Sequence, residues 1–492
     1  MKLSELVRGL PLTGDLGTDP EVFGVRHDSR TVGPGDLFVA WRGEKHDGAT
    51  FAGEAIARGA VAVVADRARP EELLGTVPWL VAERPRELLG DLAPPLWGHP
   101  ERSLTLAGVT GTNGKSTVVE LVAAMLDAAH VPCGRIGTLG YRFPGLESPP
   151  TERTTPEASD LFRLLAAMKG LGAKAAAMEV SSHALAQGRS RGLAFDVAIF
   201  TNLTRDHFDF HPDFDDYFAA KAKLFGQLKP SGRAVVNLDD RRGRELAARL
   251  PAPVGYGAEG AVAPGRIELD EAGIRGTLAT PRGELEIDSP LLGRFNLSNL
   301  LAAVAAGEAL ELPQAAIAAG VHATRPLAGR MEPVAAGQAF PALVDYAHTE
   351  AALEAALRST RELTGRPIVL VFGCGGDRDA GKRPHMGCVA GALAELPIVT
   401  SDNPRSEDPQ AIIAAVEEGL RESGNARYRV VPDRREAIRR AVAVAAAEGF
   451  AVLVAGKGHE QVQIVGDRRL AFSDREELER AIAERAGAES GS

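Results

Sequence analysis

Ten consecutive residues, Gly108-Val109-Thr110-Gly111-Thr112-Asn113-Gly114-Lys115-Ser116-Thr117, have the types and order that hold phosphate. They follow an apolar run, Leu104 to Ala107, and precede a helical pattern from Val118 to Ala129. A strand, a glycine-rich turn and a helix in that order form an anion cradle. The glycines let backbone N–H groups approach phosphate oxygens, and the helix N-terminus adds its positive end. Lys115 is placed to reach β and γ phosphates, and Ser116 or Thr117 to hold Mg²⁺. The strict pattern has glycine where this chain has Val109, with Gly108 one position further back, so the loop is a particular subtype. A glycine-rich turn that merely ends a strand is the alternative, and the strand-to-helix context argues against it.

Further polar clusters follow apolar runs. Glu179, in Met178-Glu179-Val180-Ser181-Ser182-His183, ends an apolar strand, where a carboxylate is unexpected unless it binds something. Beside a phosphate loop, an acid at the end of a neighbouring strand holds Mg²⁺. In Thr201-Asn202-Leu203-Thr204-Arg205-Asp206-His207, Asp206 and His207 offer an oxygen and an imidazole to a cation, though such a pair also caps helices. Asp402-Asn403-Pro404-Arg405 pairs a stiff turn with a planar fork suited to a carboxylate. In Gly456-Lys457-Gly458-His459-Glu460, Glu460 is suited to an ammonium group, so Arg405 and Glu460 together would fit an amino-acid head group. Cys374-Gly375-Gly376-Asp377-Arg378-Asp379 adds Arg378. Lys221, in a helical segment, reads by itself as a solvated lysine.

The elements that must position these groups form three blocks, as a length of 492 residues suggests. In the first, to residue 98, Leu37–Ala40 and Ala60–Ala65 read as buried strands, and the proline-rich stretch from Pro94 to Pro100 as a linker. In the second, the expected strands are Leu104–Val109, Lys174–Val180, Phe195–Asn202 and Ala234–Leu238, with short strands and turns from Ala252 to Ile287 and an alanine-rich helix from Ser298. In the third, from about Gly329, they are Ala342–Tyr346, Pro367–Phe372, Pro397–Ser401 and Ala451–Ala455. Strands alternating with helices imply mostly parallel sheets covered on both faces, with ligands at the carboxyl ends of the strands.

Composition narrows the class. The chain is 45% hydrophobic and 25% charged, as in ordinary globular proteins, and its net charge of −10 argues against non-specific binding to nucleic acid or anionic membranes. Three unpaired cysteines, Cys133, Cys374 and Cys388, suit a reducing compartment and read as small buried side chains. The segment Met1–Glu5 carries acid early and does not read as a signal peptide, and no apolar stretch approaches membrane-spanning length.

With these residues in view, the chain resembles the Mur ligases over nearly its whole length. Gly-Thr-Asn-Gly-Lys-Ser-Thr, Met-Glu-Val-Ser-Ser-His and Thr-Arg-Asp-His look like that family; Asp402–Arg405 and Gly456–Glu460 look like its diaminopimelate-adding members. The resemblance implies an α/β fold of three domains: residues 1–98 for the UDP-sugar, 99–329 as a central P-loop ATPase domain with a mostly parallel doubly wound sheet, and 330–492 as a Rossmann-like domain for the amino acid. It implies a cytoplasmic, monomeric ligase of peptidoglycan precursor synthesis that uses ATP and two Mg²⁺ ions to add meso-2,6-diaminopimelate to UDP-N-acetylmuramoyl-L-alanyl-D-glutamate.

By the same resemblance, Gly111 to Thr117, Asn299, Arg330 and Asp345 contact ATP, with His348 nearby. Asp28, Ser29, Arg30, Glu44, Lys45, His46, Thr154, Thr155, Ser181, Gln187 and Arg189 hold the UDP-sugar dipeptide. Arg378, Asp402, Asn403, Pro404, Arg405, Gly456 and Glu460 hold diaminopimelate. Lys221 is implied to carry a CO₂-derived carbamate (N6-carboxylysine) and, with Ser116, Glu179 and His207, to bind metal. Lys115, Lys221, Glu179 and His207 are the implied catalytic set. A lysine-adding ligase and a folylpolyglutamate synthetase are the neighbouring alternatives, and a non-catalytic nucleotide switch the distant one.

Overall fold

A computed structural model of the chain describes residues 1–43, 46–151 and 153–490. Glu44 and Lys45 of the implied sugar-binding loop lie outside the described residues. Three large sheets succeed one another along the described residues, with a smaller three-stranded sheet after the second and a two-stranded hairpin after the third. The first has the order Thr13–Asp15, Trp79–Val81, Ala62–Ala65, Asp36–Val39, Gly24–Arg26, with only the Thr13–Asp15 edge antiparallel. The expected strands at 37–40 and 60–65 are therefore present with shifted ends.

The central sheet has eight strands in the order Val254–Tyr256, Leu228–Asn237, Phe195–Phe200, Thr105–Thr110, Ala175–Glu179, Cys133–Gly137, Gly140–Phe143, Leu146–Glu147. The first six run parallel and the last two form an antiparallel edge. Thr105–Thr110 lies at the centre, so its carboxyl end opens between Glu179 and Thr201, at the place where parallel sheets bind ligands. The strand expected at 234–238 starts earlier, at Leu228. Its first half is half-exposed and polar, and hydrophobic patterning therefore registers only the buried run Ala234–Asn237. A three-stranded antiparallel sheet follows, Ala263–Asp270, Gly273–Thr280 and Gly283–Ser289.

The third sheet has the order Glu332–Pro333, Ala342–Asp345, Ala451–Ala455, Ile368–Phe372, Leu396–Val399, Arg429–Val430, parallel except at its first strand. The hairpin Val462–Val465/Arg468–Ala471 projects from it.

Three local expectations need correction. The helix after the phosphate loop is Lys115–Ala128, so Lys115, Ser116 and Thr117 are its first turn rather than part of the preceding loop. The alanine-rich helix is Arg294–Ala309, which puts Asn299 in its second turn. The proline-rich stretch is not an extended linker. Pro94 and Pro95 sit in the last turn of the helix Pro85–Leu96, and the chain reverses only afterwards, with His99 in the left-handed region. Each of these prolines lacks the N–H that would bond the carbonyl four residues back, at Gly90 and Asp91, and the helix ends within two residues of them.

The apolar core of the first sheet, with Leu37, Val39 and Val64, runs on into one face of the central sheet through Leu106, Met178 and Phe200. The other central face packs on the helices Lys115–Ala128 and Arg294–Ala309, and the third sheet has separate cores on its two faces. All three cysteines are free, Cys133 and Cys374 buried. Among the described residues no helix is long and apolar enough to cross a membrane.

Candidate active site

A cleft of about 380 Å³ separates the central strand ends from the third sheet. Its walls include Thr112 to Thr117, Glu179, Asp206 and His207 on one side and Arg330, Asp345, Tyr346 and His348 on the other. The phosphate loop is held open by the segment after Phe195–Phe200. Thr112 N donates to Asn202 O at 2.9 Å, Asn113 N to Asn202 Oδ1 at 2.9 Å and Thr201 Oγ1 to Asn113 O at 2.6 Å. Gly114 caps the helix at φ +87°, and a Cβ there would lie 2.2 Å from Asn299 Oδ1, so glycine is required for both conformation and space. Lys115 folds back, donating to Gly111 O at 3.0 Å and Thr112 O at 2.9 Å, and burial lowers its pKa.

Glu179 is buried at the next strand end. It accepts from Ser116 Oγ at 2.8 Å and Thr138 N at 2.9 Å on Oε1, and from Thr138 Oγ1 at 3.2 Å on Oε2. A hydroxyl of the phosphate loop and a carboxylate thus meet in a cleft, a hard oxygen pair that suits Mg²⁺. His207 sits at φ 59°, its carbonyl accepting from Phe210 N and His211 N. Its ring meets that of His183 edge-on at 4.7 Å. Burial, and then neighbouring positive groups, depress both imidazoles, His207 to about 3 and His183 to about 4, so each is neutral at neutral pH with a lone pair to offer.

Lys221 is not solvated. It is 1% exposed, donates to Gly111 O at 2.8 Å, and rests 4.4 Å from the Tyr217 ring centre. Burial and the adjacent Lys115 drive its pKa well below the ordinary lysine value. It lies behind the loop rather than on the cleft wall. Among the described residues no three His, Cys, Asp or Glu side chains converge as a metal cluster.

On the facing side, Asp345 accepts from Met331 N at 2.7 Å and Ala347 N at 2.8 Å, and burial raises its pKa. The Arg330 guanidinium stacks 4.5 Å from the Tyr346 ring. The amino-acid candidates cluster at the ends of Ile368–Phe372, Leu396–Val399 and Ala451–Ala455. Asn403 Nδ2 donates to Glu460 Oε2 at 2.7 Å, while its Oδ1 accepts from Lys457 Nζ at 3.1 Å and Ile464 N at 2.9 Å. Gly456, at φ +117°, leaves no room for a Cβ, which would lie 2.6 Å from Asp402 Oδ2. Arg405 adopts φ 54° and donates through Nη1 to Gly376 O at 2.6 Å, with Pro404 buried before it. Burial and the like charge of Arg378 depress the Arg405 guanidinium, so two arginines face one region. Arg378 itself is exposed and donates to Asp377 O.

The dipeptide candidates also meet. Thr155 Oγ1 donates to Glu179 O at 2.9 Å and accepts from Ser181 N at 3.1 Å. The Thr154 and Thr138 hydroxyl oxygens lie 3.2 Å apart, and Arg189 donates to Gln187 Oε1 at 2.5 Å and Thr155 O at 3.1 Å. Ser29 donates to Glu54, Asp28 pairs with Arg30, and His46 is exposed beside Phe51. Sequence reasoning gave no role to Glu157 or Arg86. Buried Glu157 pairs with Arg86 at 2.5 Å, Arg153 at 2.6 Å and Arg189 at 3.2 Å, and Arg86 also donates to Gln187. Lys457 was missed too, although it stands inside a motif that drew notice. It is wholly buried and ties Glu460, Asn403 and Val462 O together.

A phosphate-cradling loop, an acid–hydroxyl pair beside it and an amino-acid-like cluster across a cleft define an ATP-dependent acid–amino-acid ligase. Comparison with known proteins agrees. Family profiles match at residues 21–95 (Mur ligase family, catalytic domain), 109–307 (Mur ligase middle domain) and 329–458 (Mur ligase, glutamate ligase domain). The chain is 45% identical to the UDP-N-acetylmuramoyl-L-alanyl-D-glutamate--2,6-diaminopimelate ligase of Gloeobacter violaceus, over 99% of each chain. A solved structure of a ligase of the same name superposes with a TM-score of 0.67 at 33% identity, covering 99% of both. The MurF ligase of Thermotoga maritima in complex with ADP shares the fold, with a TM-score of 0.66 at 17% identity over 95% of this chain and 98% of that one. The chain belongs to the Mur ligase family.

Proposed function

We propose that the protein joins meso-2,6-diaminopimelate to the side-chain carboxylate of the D-glutamate residue in UDP-N-acetylmuramoyl-L-alanyl-D-glutamate, driven by ATP. The observation that carries the reading is the cluster in which Asn403 ties Glu460 to the Arg405 turn. A carboxylate and a guanidinium fixed in one loop cluster suit a substrate bearing both an ammonium and a carboxylate. The full-length likeness to a ligase whose name contains that amino acid supports it.

Residues 1–98 would take the UDP end, 99–329 the nucleotide and acyl centre, and 330–492 the amino acid. The chemistry follows from the site. A carboxylate acylates poorly, so the D-glutamate carboxylate first attacks the γ-phosphorus of ATP, giving an acyl phosphate and ADP. Lys115 and the loop N–H groups offset charge on the moving phosphoryl group. Ser116 and Glu179 would hold Mg²⁺, with His207 presenting a neutral imidazole to a second ion; the metal supplies further neutralisation of phosphate charge. The amine of diaminopimelate then attacks the acyl carbon, phosphate leaves with the bonding pair, and an amide remains.

Burial and a depressed pKa support Lys221 as a carbamylated lysine, since only the neutral amine adds CO₂. Thr154, Thr155, Ser181, Gln187 and Arg189 would orient the dipeptide, and Asn299, Arg330 and Asp345 the nucleotide. In this reading the enzyme is a cytoplasmic monomer, working where its nucleotide substrates are made.

Mass spectrometry of reactions containing ATP, Mg²⁺, the UDP-dipeptide and diaminopimelate tests the proposal. The expected result is an ATP-dependent product heavier by one diaminopimelate less water. No such product, or one formed only with lysine, would reject it.

A further inference from the structure

Besides the exposed pair Arg294–Glu362 between two helices, the central and C-terminal parts meet at the cleft through charged contacts of Arg205 and Asp206 with the loops opposite. Arg205 Nε lies 3.0 Å from Asp379 Oδ2, and Arg205 Nη2 lies 3.4 Å from Asp379 Oδ1. Asp206 lies 3.7 Å from His348 Nε2 and 3.8 Å from Lys382 Nζ. Two further features hold the first of these pairs. Gly381 N donates to Asp379 Oδ1 at 2.9 Å, fixing the carboxylate. A Cβ on Gly381 would lie 2.4 Å from Arg205 Nη2, so the guanidinium occupies space that only glycine leaves open there. Arg205 also stacks over the Phe208 ring at 5.0 Å.

Both ends adjoin groups assigned to the reaction. Arg205 is two residues before His207, on the segment that holds the phosphate loop. Asp379 follows Arg378 directly.

We propose that Arg205 and Asp379 are positioning residues forming a latch between the two parts, which holds the Arg378 loop over the activated carboxylate. This rests on the ligase reading. While the pair is made, the amine is delivered to the acyl carbon and water is kept out. When it is broken, the acyl phosphate still forms on the central part, but water competes with the amine. Water attacks the acyl carbon, the bond to phosphate breaks, phosphate leaves with the electron pair, and the carboxylate is regenerated at the cost of one ATP.

The variants Arg205→Ala, Asp379→Ala and Gly381→Ala test this, together with the double variant Arg205→Ala/Asp379→Ala. Gly381 has φ −64°, so alanine fits its backbone, and the intruding methyl meets the flexible end of Arg205 and, at 3.1 Å, Asp379 Oδ1. That variant breaks the pair while keeping both charges and the fold. The readouts are kcat and KM for each substrate, and phosphate released per amide formed. Each single variant should lower kcat/KM for the amino acid about 10- to 100-fold, the scale of a small misplacement of reacting groups. Each should raise phosphate per amide above that of the unsubstituted protein and leave KM for ATP within about threefold. The double variant should be no worse than the poorer single one. Unchanged phosphate per amide in the single variants, or additive losses in the double, would overturn the latch.

Small-angle scattering of the unliganded proteins gives a readout independent of chemistry. The pair ties the two parts together, so the variants should expand relative to the unsubstituted protein, and equal radii would overturn the proposal. An unsubstituted protein that makes no amide would refute the ligase reading instead, and the scattering comparison would still decide the latch.

Discussion

Replacing Glu179 with glutamine changes one charge and almost no shape. Its carboxylate accepts three hydrogen bonds, two on Oε1 and one on Oε2. Glutamine can keep its carbonyl oxygen on Ser116 Oγ and Thr138 N, and its amide can donate to Thr138 Oγ1, whose hydroxyl turns to accept. The bonds weaken from charge-assisted to neutral, which at about 1 kcal/mol each costs roughly 1–3 kcal/mol of stability. The cleft, however, loses the carboxylate that meets Ser116 beside the phosphate loop, and Asp206 on the same wall does not touch that hydroxyl. Removing a preorganised electrostatic partner of transferring phosphate costs about 10²- to 10³-fold in rate. Glu179→Gln should therefore fold, melt only slightly lower, and lose at least about 100-fold in turnover while needing more Mg²⁺ for half-maximal rate. Glu179→Ala is the control. It leaves three donors without an acceptor at about 1–3 kcal/mol each and should be visibly unstable. Phosphate release against Mg²⁺ concentration, beside thermal melts of both variants, reads the difference. A Glu179→Gln protein with near-normal turnover and unchanged Mg²⁺ demand would make Glu179 a structural anchor between strands and refute the reasoning.

Arg405→Met should reduce kcat/KM for diaminopimelate by about 10²- to 10⁴-fold and affect lysine far less, since lysine has no second carboxylate to pair; equal losses for both amino acids would remove Arg405 from specificity. Lys221→Ala should abolish phosphate release, with partial recovery in excess short carboxylic acid; an alanine variant of full activity would remove Lys221 from the mechanism. Glu157 makes a pH-dependent contribution. Burial opposes its charge, but Arg86 and Arg189 outweigh burial and hold the carboxyl below its ordinary 4.5. Its stabilisation is therefore complete above that value and is lost as pH falls through the lower folded-state value. Glu157→Gln should melt lower at pH 7 and show a flatter acid limb in melts between about pH 3 and 7, and an unchanged acid limb would contradict this.

The strands that carry the site were legible in the sequence because their buried runs are continuous and end at polar residues. Thr105–Thr110 and Ala451–Ala455 are examples. Element ends were less legible. Lys115 to Thr117 pattern as loop, yet the left-handed Gly114 starts the helix just before them. Tertiary pairing was hidden altogether. Lys457 and Lys221 carry side chains that prefer water, and only acceptors supplied by distant segments, Asn403 and Gly111, make their burial tolerable. Arg86 and Glu157 are 71 positions apart and each reads as an ordinary helix charge until the first and central sheets meet.

The central claim is tested most directly by phosphate release with ATP, Mg²⁺ and UDP-N-acetylmuramoyl-L-Ala-D-Glu, adding meso-diaminopimelate or L-lysine in parallel. Release sustained only by diaminopimelate is the predicted result. Release sustained by lysine would overturn the role given to the Arg405 turn, and release with neither would contradict the ligase account itself.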